Sequence, residues 1–209
     1  MTITEVLQRS QQQRLAQRGA ADPLSAASQR VQASFDRLVA MLPPGEPARL
    51  VLVGGDLFAE AQFDGRSVAV SEAVGDLPEG ERLLMLAHEL GHVRLEHWAA
   101  LDGLYRRFIP GEVRPETTDP VAAALGAQAH ALSHRHEFEA DAFGFTLVRK
   151  LGFGVENALR LLTRQGQQPD GATHPGTRRR LAQLRSLDAQ LGHALVSPAA
   201  DIAVAAGTR

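Results

Sequence analysis

Apolar residues recur along the chain at two spacings, and the change from one to the other outlines the fold. Residues 3–18 carry Ile3, Val6, Leu7 and Leu15 among Gln and Arg, a polar and weakly amphipathic helix that Asp22-Pro23 ends. Residues 24–42 place Val31, Phe35, Leu38, Val39 and Leu42 at helical spacing, and Pro43-Pro44-Gly45 stops them. The period then shortens to that of strands, at 49–53 (RLVLV), at 57–63 and at 67–71 (SVAVS), with Asp64-Gly65 as a hairpin signal. A helix is predicted over 79–104, apolar around much of its girth through Leu83, Leu84, Leu86, Ala87, Leu90, Val93, Leu95 and Trp98, and therefore central. A loop over 109–118 precedes a long helix from about 119 to 151 that Gly152 ends, and shorter helices follow at 154–165 and 176–191. A small mixed sheet packed on a mainly helical bulk is an α+β pattern. We expect a helical arm at 1–42, one domain at 43–196 and a frayed tail at 197–209.

Composition narrows the classes. With 209 residues, 44% of them apolar and 22% charged, the chain can bury one core. A net charge of −2 offers nucleic acid no basic footprint. No run of about 18 apolar residues occurs, and the first residues lack the apolar centre of a secretory signal, so the expected location is cytoplasmic. There is no cysteine, so any metal must be held by nitrogen and oxygen.

Residues 88–92 read His-Glu-Leu-Gly-His, an HExxH match. Positions four apart share a helix face, so His88 and His92 can hold one zinc ion, while Glu89 can reach a water beside it without being a ligand. The metzincin extension is excluded: Leu95 and Trp98 stand where that pattern needs Gly and His, and His97 falls one residue short. The third ligand is then sought in residues 134–141. Glu137, Glu139, His134 and His136 are all chemically able to bind zinc. Glu139 is rotated about 200° from Glu137 on a helix, whereas Asp141 returns to within about 40° and can accept the free N–H of a ligand histidine. Glu137 is therefore the expected third ligand, with His134 the best substitute. His130, His134 and His136 also raise the question of a second metal site.

HELGHVRLEH (88–97), EFEAD (137–141) and THPGTRRRL (173–181) together resemble three signatures of the HtpX and CAAX-prenyl-protease family of gluzincin metallopeptidases. Family members are often membrane-embedded, and this chain looks like the soluble, compact members called minigluzincins. The resemblance covers roughly residues 50–190 and also places a histidine at His97. It implies a zincin-like fold and one zinc ion on His88, His92 and Glu137. By the same resemblance His174 lies near the metal and stabilises the oxyanion, while Arg180 pairs with acidic groups or backbone to hold its segment.

The expected activity is zinc-dependent endopeptidase cleavage of peptides or unfolded proteins, with Glu89 as general base. Strand 67–71 is the edge expected to pair with an extended substrate. One rival is a regulatory zinc peptidase of the ImmA/IrrE type, against which the Thr173-His174-Pro175 segment and Asp141 count. Another is a helical module that zinc merely staples, a role with no need for Glu89.

Overall fold

The structure is a computed structural model and describes residues 1–45, 47–164 and 166–196; the expected tail at 197–209 lies outside the described residues. Among the described residues, eight α-helices and three strands run in the order α1 (Ile3–Arg18), α2 (Ala26–Val39), β1 (Arg49–Val53), β2 (Ala59–Ala61), β3 (Ser67–Ser71), α3 (Glu79–Arg94), α4 (His97–Phe108), α5 (Pro115–Thr118), α6 (Ala122–Arg149), α7 (Val155–Arg164) and α8 (Thr177–Val196). This is the expected α+β class. No described helix is long and apolar enough to cross a membrane.

The sheet corrects one expectation. Its order is β1-β3-β2, with β3 parallel to β1 and antiparallel to β2. Strand 67–71 is therefore the centre of the sheet, buried at all five positions, and not an edge. SVAVS alternates, but its polar members are serines small enough to be buried on the second face. The edge nearest the HExxH helix is β2, which folds back through a turn where Gly65 takes φ 73° and the Asp64 carboxylate accepts from the N–H groups of Arg66 and Ser67.

The apolar core lies between the sheet and the helices. Val68 and Val70 of β3, Leu83, Leu86 and Leu90 of α3, and Phe145 and Val148 of α6 are its centre. Within residues 1–42, read above as one arm, the two helices differ. α2 buries Val31, Phe35 and Leu38 in this core, whereas α1 contributes only Ile3, to a second cluster around Leu104, Ile109 and Leu125.

The helix predicted over 79–104 is in fact two. Glu96 adopts φ 55°, a left-handed conformation, and separates α3 from α4. Neither Gly nor Pro marks the break, so the apolar period runs straight through it. Its consequence is local: the bend carries His97 back against His92.

α3 and α6 carry the signature residues, and glycines set how closely they approach. A Cβ on Gly144 would lie 2.8 Å from the backbone nitrogen of His88, and one on Gly91 would lie 3.1 Å from the Cα of Ala140. Gly144→Ala is expected to lower stability by about 1–3 kcal/mol, because the obstruction is helix backbone that cannot rotate aside. Denaturant unfolding at equal native compactness measures this; an unchanged midpoint would show that the helices part freely.

Candidate metal centre

His88 and His92 project from one face of α3, and Glu137 faces them from α6. The separations are 3.2 Å between His88 Nε2 and His92 Nε2, 3.5 Å from His88 Nε2 to Glu137 Oε2, and 3.3 Å from His92 Nε2 to Glu137 Oε1. Tetrahedral donors about 2.0–2.1 Å from one ion stand about 3.4 Å apart. The two imidazole nitrogens and the two oxygens of the Glu137 carboxylate therefore stand at separations that suit donors around one ion.

The hydrogen bonds behind these groups decide where their lone pairs point. His88 Nδ1 lies 2.9 Å from Asp141 Oδ1, and a carboxylate only accepts, so Nδ1 carries the proton and Nε2 presents a lone pair. Arg180 fixes Asp141 in turn, with Nη2 donating to Oδ1 at 2.6 Å and Nε to Oδ2 at 2.7 Å. On the other side His97 Nε2 lies 3.2 Å from Glu139 Oε2. Burial, with the nearby His136 and His92, lowers His97 to about 3, so it is neutral and donates from Nε2. Its Nδ1 must then accept, at 2.9 Å, from Nδ1 of His92. His92 Nε2 is thereby also left with a lone pair, facing that of His88. Two lone pairs and a carboxylate meeting at one point repel unless a cation lies between them.

The electrostatics agree. Burial opposes charge on His88, but hydrogen bonding to Asp141 and Glu137 outweighs it and raises the imidazole to about 10. A field that holds a proton there at neutral pH favours a metal cation in its place. Burial alone would raise Glu137; its contacts with His88 and His92 hold it well below the usual carboxylate range. Asp141 is likewise held low against burial, by Arg180 and His88. Burial works against charge on Arg180 too, and Asp141 raises it above its ordinary value. Glu137 Oε2 is buried with no hydrogen-bond partner among the described residues, as befits a ligand atom.

Glu89 stands beside this set. Its Oε1 lies 4.0 Å from His88 Nε2, and its Oε2 accepts from the Ala61 N–H of β2 at 2.7 Å. His174, exposed on the loop before α8, brings Nε2 to 3.5 Å from Glu137 Oε1, while Thr173 Oγ1 bonds its Nδ1 at 2.8 Å. All seven residues singled out from the sequence thus meet at one place. They line or adjoin a cavity of ≈ 490 Å³ whose apolar wall includes Leu57, Phe58, Leu84, Met85, Leu161 and Leu162. α7, which supplies the two last leucines, is anchored by Arg164 on the buried Glu81 of α3 at 2.6 Å.

Other histidines have different work from that considered above. His130 Nδ1 and His134 Nε2 each donate at 2.9 Å to the carbonyls of Ala172 and Gly171, and so hold the loop that presents His174. His134 does not line the cavity. His136 stacks on His97 with centroids 4.0 Å apart and planes 4° from parallel. His97, His136 and Glu139 form a second group of metal-capable side chains, but parallel stacked rings direct their lone pairs along parallel planes rather than towards one ion. The link from His92 through His97 to Glu139 could not be read from spacing, because it depends on the bend at Glu96.

Two histidines one turn apart, a carboxylate from a second helix and a glutamate held by β2 on the rim of an open cleft define the class as a metal-binding scaffold. Residues 25–188 match peptidase family M48, and the chain belongs to that family. Membership bears out the resemblance carried by the three motifs. No curated protein matches the sequence. Among solved structures, the crystal structure of S. mikatae Ste24p is similar at a TM-score of 0.49 and 16% identity, over 74% of this chain and 49% of that one. The chain thus spans about half the length of that protein.

Proposed function

We propose that the protein is a zinc-dependent endopeptidase, with His88, His92 and Glu137 holding the ion and Glu89 acting as general base. The observation that carries this reading is the convergence of two imidazole nitrogens and the Glu137 carboxylate at separations of 3.2–3.5 Å, the other ring nitrogen of each imidazole being already engaged. A nitrogen and oxygen donor set of this size suits zinc, which when bound supplies Lewis acidity and lowers the pKa of water towards ~7.

The protein's own groups supply the rest. Glu89 takes a proton from the attacking water and delivers it to the leaving amine. Ala61 holds one Glu89 oxygen by its N–H, which leaves the other for proton transfer. His174 donates from Nε2 to the developing oxyanion. Asp141 and Arg180 keep His88 in the tautomer that presents Nε2, and His97 with Glu139 does the same for His92. An extended substrate pairs with the outward edge of β2, which replaces the central strand expected from the sequence.

Elemental analysis after zinc reconstitution is expected to find one zinc per chain. Casein should be hydrolysed, a chelator should stop this, and added zinc should restore it. Absence of bound metal would overturn the reading. Tight zinc without hydrolysis of any unfolded protein would instead assign the ion a stapling role.

A further inference from the structure

α1 lies outside the stretch matched to the family, which begins at residue 25, yet it reaches the rim of the cleft. In the β2–β3 ladder, residues 58, 60 and 62 point their main-chain groups at β3, so 59, 61 and 63 point theirs outward. Ala59 faces the cavity. The Ala61 N–H donates to Glu89. Beyond that point the edge is taken by side chains of α1. Gln11 Nε2 donates to the Ala61 carbonyl at 3.3 Å, its Oε1 accepts from the Phe63 N–H at 2.7 Å, and Gln8 Nε2 donates to the Phe63 carbonyl at 2.8 Å. A carboxamide is a peptide group without the chain. Gln11 donates to one strand residue and accepts from the next but one, as a neighbouring strand would. It is 3% exposed although its helix is mostly polar.

Apart from Ile3, which packs on the Leu104 cluster, the rest of the attachment is mainly polar. Thr4 donates to Asp102, Arg14 pairs with Glu60 at 3.3 Å, and Arg18 lies over the Phe58 ring at 3.7 Å. Hydrogen bonds and exposed ion pairs exchange readily with water, so little apolar burial opposes displacement of α1.

We propose that Gln8 and Gln11 are specificity-determining residues: through them α1 occupies the substrate's main-chain positions on β2 beyond Glu89. An extended chain pairs with Ala61 and Phe63 only by displacing α1, whereas a short peptide confined to the Leu57–Ala59 stretch binds without doing so. The site as built therefore favours short peptides over long unfolded chains. This rests on the peptidase reading of the cleft.

The test uses the full zinc-loaded chain carrying Glu89→Gln, so that probes bind without turnover. The probes are a fluorescein-labelled casein peptide long enough to pass both Ala59 and Phe63, and a labelled tripeptide. Gln8→Ala/Gln11→Ala is expected to tighten the long probe about tenfold, the equivalent of one or two net hydrogen bonds, and to leave the tripeptide within about twofold. Zinc affinity should not change. If that variant fails to fold, Arg14→Ala/Arg18→Ala loosens α1 while leaving both glutamines and the main-chain edge of β2 unaltered, and the same selective tightening is expected. Both probes binding with no selective gain in either variant would reduce the glutamines to a cap on a strand edge and overturn the proposal. Neither probe binding any of the proteins would overturn it together with the peptidase reading.

Discussion

Glu89→Gln is expected to bind zinc as the unaltered protein does and to hydrolyse casein about 10³-fold more slowly, within the range that a general base contributes. The substitution is nearly isosteric, and its amide oxygen can still accept from the Ala61 N–H that holds Glu89 at 2.7 Å. The edge strand and α3 should therefore keep their relation. The three donor atoms that face one another belong to His88, His92 and Glu137, so the ion loses no ligand. Only the capacity to accept a proton disappears. The nearest other carboxylates are already committed: Glu137 to His88 and His92, and Asp141 to His88 and Arg180. Turnover at the original rate, with zinc content confirmed by elemental analysis, would remove Glu89 from the mechanism.

The parts of the site that were legible in the sequence are those that a single helix dictates, together with His174 and Arg180, which the motif resemblance supplied. His88 and His92 share a face because they are four apart, and Glu137 and Asp141 share one for the same reason; both faces meet because Gly91 and Gly144 let α3 and α6 close together. The illegible parts depend on how separate elements are arranged. Whether SVAVS is an edge or a centre depends on where β1 and β2 settle, and alternation is compatible with both when the polar members are serines. The bend at Glu96 has no Gly or Pro to announce it, yet it brings His97 onto His92. The apolar period of α2 marked a buried face without saying that the face belongs to the main core. For α1 the polar composition hid the informative residues, since Gln8 and Gln11 meet β2 through hydrogen bonds.

Glu137→Gln and Glu139→Gln, two residues apart on α6, are expected to differ sharply in zinc affinity. Glu137 presents its carboxylate 3.3 Å from His92 Nε2 and 3.5 Å from His88 Nε2, and one of its oxygens is buried without a hydrogen-bond partner among the described residues. The amide removes the negative charge that a cation among these groups needs, and its NH₂ can turn towards an imidazole lone pair and occupy the ion's place. Zinc binding should weaken at least ~10-fold, the low end for disturbed metal shells. Glu139 lies on the other side of the helix and reaches the site only through His97, which donates to it at 3.2 Å. A glutamine oxygen can accept the same bond, and the side chain is 47% exposed, so water can replace what the amide does not supply. Its zinc affinity should stay within about fivefold of the original, the scale of an exposed ion pair. The comparison holds helix, neighbourhood and chemistry constant and changes only the face. Competition titrations against a chelator of known affinity give both constants, and the reverse order would put the third ligand on the Glu139 side and overturn the assignment of the metal centre.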